Sequence, residues 1–409
     1  MCEKGIKSGE VIGVMLKNKA DSIAGILSAL KAGGTALPLE PDCPEETVRR
    51  ILGQNSARIL VTTREIVNLI NFNGNVIDIN TEAASSKEMN PLNNVEKPSD
   101  AALVTYVLHS DSMTESIVLK HHGILKILLN NPYYADFNES DVWALPDCFY
   151  PEFPVRQVIG ALLSGGKLVI ITESIRKDYK LLIKTLVEQK VTVLDGTFEF
   201  IYALSDEEKK RDEKLLSLRY VFTGGETFQP SLLRKFRERY PQLRIINSYT
   251  LNGTGLPLIV REVTDEDIKN NLNCIGRPVP SVTAYVMDKS LRLVPVGAQG
   301  ELLIGGEGAA FDYVGTSESF KSSFIQNPYR RSERLFRTGE IVRRLKNGEL
   351  ELTGGINSKL VRDQRLKKEM EQASAPVSKE VELIKRLAVI KAVSYTHLRA
   401  HETPEHLVC

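Results

Sequence analysis

The sequence predicts an α/β protein, with parallel, doubly wound sheets followed by a β-rich subdomain. Three observations predict it. Strand-like and helix-like runs alternate through residues 11–63. The same alternation returns between residues 167 and 250. After about residue 275 short strand-like runs succeed one another without helices between them. Strand–helix–strand alternation is the signature of crossover units on a parallel sheet, whereas helix-free strand runs form antiparallel structure.

Taken in order, "VIGVML" (11–16) is apolar throughout, as a buried strand requires. In "NKADSIAGILSALKAGG", Ile23, Ile26, Leu27 and Leu30 fall at helical spacing, Asn18 stands at the cap, and Gly33-Gly34 stop the helix. "TALPL" is a second strand, "PEETVRRILGQ" a helix with Pro44 near its first turn, and "ARILVTT" a third strand. Residues 82–100 are polar and read as loop. The rhythm resumes with "KLVII" (167–171), a helix near 178–189, "VTVLDG", "LRYVFTGGE", a helix opened by Pro230 and "LRIINSYT". "TAYVMD", "GELLIGG" and "GELELTG" are the short strands that follow, and no internal repeat is visible.

A length of 409 residues allows two or three cores, and 42% hydrophobic with 26% charged residues is the balance of an ordinary globular protein. A net charge of +1 supplies no global field, so neither nucleic acid nor a membrane is an expected partner. Cys2, Cys43, Cys148, Cys274 and Cys409 show neither metal-ligand nor disulfide-framework spacing, which fits a reducing, cytoplasmic compartment. The N-terminus lacks an apolar signal core, and no run reaches the roughly 18 apolar residues of a membrane span. The charge block 205–214 mixes both signs and reads as a solvated loop or helix face. His397, His401 and His406 crowd the closing 16 residues, but His401-x4-His406 is not the i, i+4 pair of a zinc helix. Residues 394–409 resemble translated sequencing-adaptor read-through and read as a non-native tail.

"YVLHSDSMTES" (106–116) carries an apolar run into hydroxyls and acids. A strand entering such a turn can cradle phosphate, but only where glycines let backbone N–H groups approach the anion. None stands between Tyr106 and His122. The stretch is either a surface turn or a phosphate loop without its working parts.

Six blocks in one order carry a family resemblance. They are "ILSALKAGGTALPLEPDCPEETVRRIL", "VTVLDGTFEFIYAL", "LRYVFTGGETF", "LRIINSY", "IGRPVPSVTAYVMDKSLRLVPVGAQGELLIGGEG" and "FIQNPYRRSERLFRTGEIVRRLKNGELELTGG". Together they resemble the adenylate-forming enzymes and, within them, the amino-acid adenylation domains of nonribosomal peptide synthetases, over nearly all of residues 5–393. The resemblance implies a large adenylation-type domain at 1–352 that lacks its first elements, then a hinge and the start of a C-terminal lid at 353–393. With the opening elements missing, "VIGVML" is expected to lie at an unpaired sheet edge. The implied chemistry is attack of a carboxylate on the α-phosphate of ATP, then transfer to the phosphopantetheine thiol of a carrier protein. ATP/AMP and Mg²⁺ are the implied cofactors.

The resemblance also assigns residues. Ser110, Ser112 and Thr114 occupy the phosphate loop, where the family's glycines and lysine are missing. Tyr249 would stack on adenine and Asn247 would bond nearby, while Gly255 falls where the family keeps its magnesium glutamate. No metal ligand is therefore assigned. Thr254 sits in Gly253-Thr254-Gly255, which reads as a nucleotide contact or a simple turn. Glu340 replaces the aspartate that holds the ribose hydroxyls, unless it is a surface glutamate paired with Arg337. Gly224, Gly225 and Glu226 form a turn for the nucleotide to lie against, or an ordinary strand-to-helix turn. On the acyl side, Glu152 would pair with a substrate ammonium, and Phe153, Arg156, Asp195, Val221, Thr223 and Ser248 would line the rest. Arg156 and Asp195 could instead form a structural pair. The family's arginine and hinge aspartate are replaced at Gly355 and Asn357, and its lid lysine has no counterpart.

Three functional expectations follow. The first is ATP-dependent adenylation of an amino acid or similar carboxylate, with impaired catalysis. The second is an inactive adenylation-like scaffold or interaction domain. A weaker third is an acyl-CoA synthetase relative, which would not need Glu152.

Overall fold

A computed structural model describes residues 6–82, 97–108, 114–146, 154–196, 200–201, 203–204, 215–224, 230–251, 253–270, 272–309, 311–314 and 321–355. The expected lid segment, the closing tail and the charge block 205–214 lie outside these residues.

The first sheet is built from β1 (Val11–Met15), β2 (Thr35–Leu39), β3 (Ile59–Thr62), β4 (Asn75–Asp78), β5 (Ala101–Leu108), β6 (Thr114–Lys120) and β16 (Phe311–Val314). Their order is β16-β6-β5-β2-β1-β3-β4. β1 pairs in parallel with β2 on one side and β3 on the other. The expectation of an unpaired edge at "VIGVML" is therefore overturned: β1 lies inside the sheet, and β4 and β16 are its edges. Its apolar run reflects that position, with Ile12, Val14 and Met15 almost fully enclosed.

The second sheet begins with β7 (Val142–Pro146), β8 (Lys167–Ile171), β9 (Val193–Asp195), β10 (Tyr220–Thr223) and β11 (Arg244–Thr250). It continues through β12 (Pro257–Glu262), β13 (Cys274–Pro278), β14 (Thr283–Met287), β15 (Gln299–Gly305), β17 (Phe324–Gln326), β18 (Arg334–Arg344) and β19 (Leu350–Gly355). The order is β14-β15-β18-β19-β13-β12-β11-β10-β9-β7-β8, with β17 beside β18. β7 to β11 pair in parallel, and from β12 onward pairing is antiparallel. The β-rich region is thus the antiparallel half of a continuous sheet, joined through β12 and β13.

Local chemistry explains the helices. Asn18 Oδ1 accepts from the backbone N–H of Ala20 at 2.8 Å and of Asp21 at 3.2 Å, capping Lys19–Lys31. That helix ends at Gly33, whose φ of +77° suits glycine. Helix Val155–Leu163 follows β7 and turns Val155, Val158 and Ala161 into the core. Trp143 stacks against Phe222 there, with ring centroids 6.4 Å apart. Among the described residues no helix is long and apolar enough to cross a membrane.

Candidate functional site

Ligands of open α/β sheets bind outside the carboxyl ends of parallel strands. Here those ends bring together Asp195 from β9, Thr223 from β10 with Gly224 just beyond it, and Asn247, Ser248 and Tyr249 from β11. Register sets Phe222 beside Asp195, and Thr223 beside Asn247. Gly224 is required by close approach: a Cβ there would meet the Ser248 carbonyl oxygen at 2.0 Å.

Glu340 arrives from β18. Its backbone N–H donates to Thr338 Oγ1 at 3.1 Å, and that hydroxyl donates to the Leu302 carbonyl at 2.8 Å. Tyr249 lies within hydrogen-bonding reach of Thr338, and its hydroxyl pKa is pushed up by burial and by the nearby Glu340 charge. Glu340 Oε2 is buried and accepts no hydrogen bond among the described residues. Burial raises its carboxyl to about 7. Arg337 is not its partner, because Arg337 Nε binds both carboxylate oxygens of Glu301 at 3.1 Å. That removes the surface-pair reading and leaves a carboxylate with unused acceptor capacity beside an aromatic ring.

The acyl-side residues behave differently. Arg156 donates to Asp195 Oδ2, which also accepts from Gln157 Nε2 at 2.8 Å. The guanidinium lies 4.8 Å from the Phe222 ring centroid. Burial pushes the Asp195 carboxyl up, opposed by Arg156 and by the Gly196 backbone N–H. The pair is therefore formed, and it sits at the crevice rather than on an outer face. Thr223 Oγ1 and Ser248 Oγ are buried and make no hydrogen bond among the described residues.

Two expectations are corrected. Val221 is fully enclosed in the core with Leu194, Phe236 and Ile245, so it backs the crevice without offering it surface. Thr254 is 1% exposed and donates to the Leu251 carbonyl at 2.8 Å, closing the turn between β11 and β12 instead of facing a nucleotide. Asn247 Nδ2 donates one N–H to the Cys274 carbonyl at 3.1 Å, which leaves its second N–H and its oxygen for other partners. Gly253-Thr254-Gly255 is thus the simple turn of its two readings, followed by an antiparallel strand.

Ser110, Ser112, Glu152, Phe153, Gly225 and Glu226 lie outside the described residues. Thr114 opens β6, which pairs antiparallel with β5, so the hydroxyl-rich stretch joins the two strands of a hairpin. The expected Mg²⁺ finds no fit at the residues in register with the family's glutamate: Gly255, with φ +60°, brings no side-chain oxygen. Among the described residues no cluster of three or more His, Cys, Asp or Glu could hold a metal. Sequence reasoning missed Tyr134, Gln157 and Thr338. Gln157 follows Arg156 on its helix, but Tyr134 lies in a short 3₁₀ turn that no motif marks.

Tyr249, at the carboxyl end of β11, lies beside the buried, unsatisfied carboxylate of Glu340 from β18, and the chain belongs to the AMP-binding enzyme family, whose model matches residues 1–314. Its relatives narrow the class. The chain is 34% identical to a plipastatin synthase polypeptide of Bacillus subtilis (strain 168) over 94% of its length, covering 15% of that protein. It is 29% identical to gramicidin S synthase 1 of Brevibacillus brevis over 98% of its length, covering 35% of that protein. The crystal structure of a nonribosomal peptide synthetase, FmoA3, shares the fold: TM-score 0.78 at 23% identity, over 87% of this chain and 38% of that one. The chain thus spans about a third or less of these curated relatives.

Proposed function

We propose that the chain binds ATP and an amino acid and joins them as an aminoacyl-adenylate for loading onto a carrier protein's phosphopantetheine thiol. In that reaction a substrate carboxylate oxygen attacks the α-phosphorus, the bond to the β-phosphate breaks, and pyrophosphate leaves. The observation that carries the reading is the meeting of Tyr249 with the half-buried Glu340 carboxylate. The Tyr249 ring offers a stacking face to adenine, and Glu340 offers acceptors to ribose hydroxyls. Glu152 would hold the substrate ammonium, since an ammonium leaving water needs a carboxylate. Ser110, Ser112 and Thr114 would give hydroxyls to the phosphates. A solved form of FmoA3 with α-methyl-L-serine-AMP bound supports the amino-acid class. The reading is set in the cytoplasm, with no role for nucleic acid or membrane.

A specific observation favours slowed chemistry: a glycine-free loop and Gly255 stand where the phosphates and their charge need stabilising. A scaffold that keeps nucleotide affinity but has lost the reaction is the second reading. The test pairs calorimetry of AMP and ATP with amino-acid-dependent ATP–pyrophosphate exchange over the twenty amino acids. AMP is expected to bind about as well as ATP, in the range of roughly −4 to −6 kcal/mol. Exchange is expected below detection, because single electrostatic donors are each worth about a hundredfold in rate. ATP binding tenfold tighter than AMP, or clear exchange, overturns the impairment. No nucleotide binding at all overturns the reading itself.

A further inference from the structure

Beyond the nucleotide half, the crevice holds a second polar constellation. Asp195 Oδ2 accepts from Arg156 and from Gln157, so the pair is internally neutral and buried. The Tyr134 ring is partly exposed, but its hydroxyl is buried, lies within electrostatic reach of both Arg156 and Asp195, and makes no hydrogen bond among the described residues. Gly160 lets the helix approach: a Cβ there would come within 2.6 Å of the Tyr134 ring. Ser248, 2% exposed, likewise has an unpartnered Oγ. Strand alternation and register place Asp195, Phe222, Ile246 and Ser248 on one face of β9, β10 and β11. That face therefore carries the Ser248 hydroxyl and the Asp195 end of a neutral ion pair, with the Tyr134 ring 6.0 Å from Phe222 and with Phe222 and Trp143 packed behind in the core.

We propose that this constellation receives the far end of the substrate's side chain and selects an uncharged hydrogen-bonding group, a carboxamide or a hydroxyl. The inference rests on the adenylation reading above and names its substrate class. A hydrocarbon tip would exclude water and leave the Tyr134 and Ser248 hydroxyls buried without partners. A carboxylate or ammonium tip would add a net charge to a site whose own charges already cancel. A carboxamide brings N–H donors for Asp195 and a carbonyl oxygen that accepts from one or two of the Tyr134, Ser248 and Arg156 donors, and changes no charge.

The experiment compares near-isosteric ligands on the full chain by calorimetry, using non-hydrolysable aminoacyl-sulfamoyl-adenosines. Three pairs isolate polarity from size: glutamine against methionine, asparagine against leucine, and threonine against valine. Glutamate and aspartate analogues test charge. At least one polar member is expected to bind about tenfold or more tighter than both its apolar and its charged counterpart, as sites built for hydrogen bonds discriminate strongly. The double variant Arg156→Met/Asp195→Leu is expected to lose that preference while still binding AMP. If AMP binds but no polar member wins its pair, the inference falls and the adenylation reading stands. If neither AMP nor any analogue binds, both fall.

Discussion

Adenosine affinity should depend on pH through a single carboxyl. Glu340 stands at about 7 against an ordinary value of 4.5, raised by burial. Ribose hydroxyls donate to a carboxylate, so the ionised form is the one that binds. The ionised fraction rises from about 10% at pH 6 to about 90% at pH 8, and association should strengthen about ninefold over that span. Adenosine carries no phosphate and so adds no titration of its own in this window. In Glu340→Gln the amide cannot ionise: affinity at pH 8 should fall about 10- to 100-fold, the loss of charge-assisted hydrogen bonds, and the pH dependence should vanish. The unliganded protein should show the opposite trend. Its folded state holds a proton between 4.5 and 7 that the unfolded state has lost. Stability should therefore decline as pH rises through that window, by about 1–2 kcal/mol after solvent screening of a half-buried group. Calorimetry at half-unit steps from pH 5.5 to 8.5, with urea unfolding of both proteins, is the assay. A flat wild-type binding profile, or a slope that persists in Glu340→Gln, refutes the reasoning.

Other perturbations give separate outcomes. Arg156→Met should destabilise the protein by about 3–5 kcal/mol in urea unfolding, since it leaves Asp195 buried and unpaired; adding Asp195→Leu should recover most of that loss. Gly224→Ala drives a methyl into the Ser248 carbonyl, and should cost about 1–3 kcal/mol while weakening adenosine binding by displacing β11. Trp143 is the only tryptophan and is 1% exposed, so emission should be blue-shifted in the folded protein and move red on unfolding; Trp143→Ala should lower stability by about 3–5 kcal/mol.

Legibility in the sequence followed burial. Parallel strands closed in on both faces write themselves as apolar runs, so "VIGVM" and "YVFT" were readable, and Asn18 and Gly33 marked a helix by side-chain chemistry. Strand order was not, because hydrogen bonding between distant segments leaves no periodic trace. The edge expected at Val11–Met15 came from family length rather than from the residues, and β2 and β3 occupy both flanks. The meeting of Tyr249 and Glu340 was reachable only by resemblance, the two being far apart in sequence. Thr254 shows why the rest was opaque: a hydroxyl in a glycine turn looks the same whether it faces a ligand or its own backbone.

β16 completes the first sheet by pairing with β6, the return strand of the hairpin that carries the hydroxyl-rich stretch. The two are made far apart in time. At roughly 5–20 residues per second, β16 leaves the ribosome some 10–40 s after β6, about 190 residues later. For that interval β6, apolar at Ile117, Val118 and Leu119, is a naked sheet border on a nascent chain. The hairpin gains its last neighbour only after most of the second sheet's strands have been synthesised, which couples the halves during birth and makes Phe311–Val314 the latch of the first.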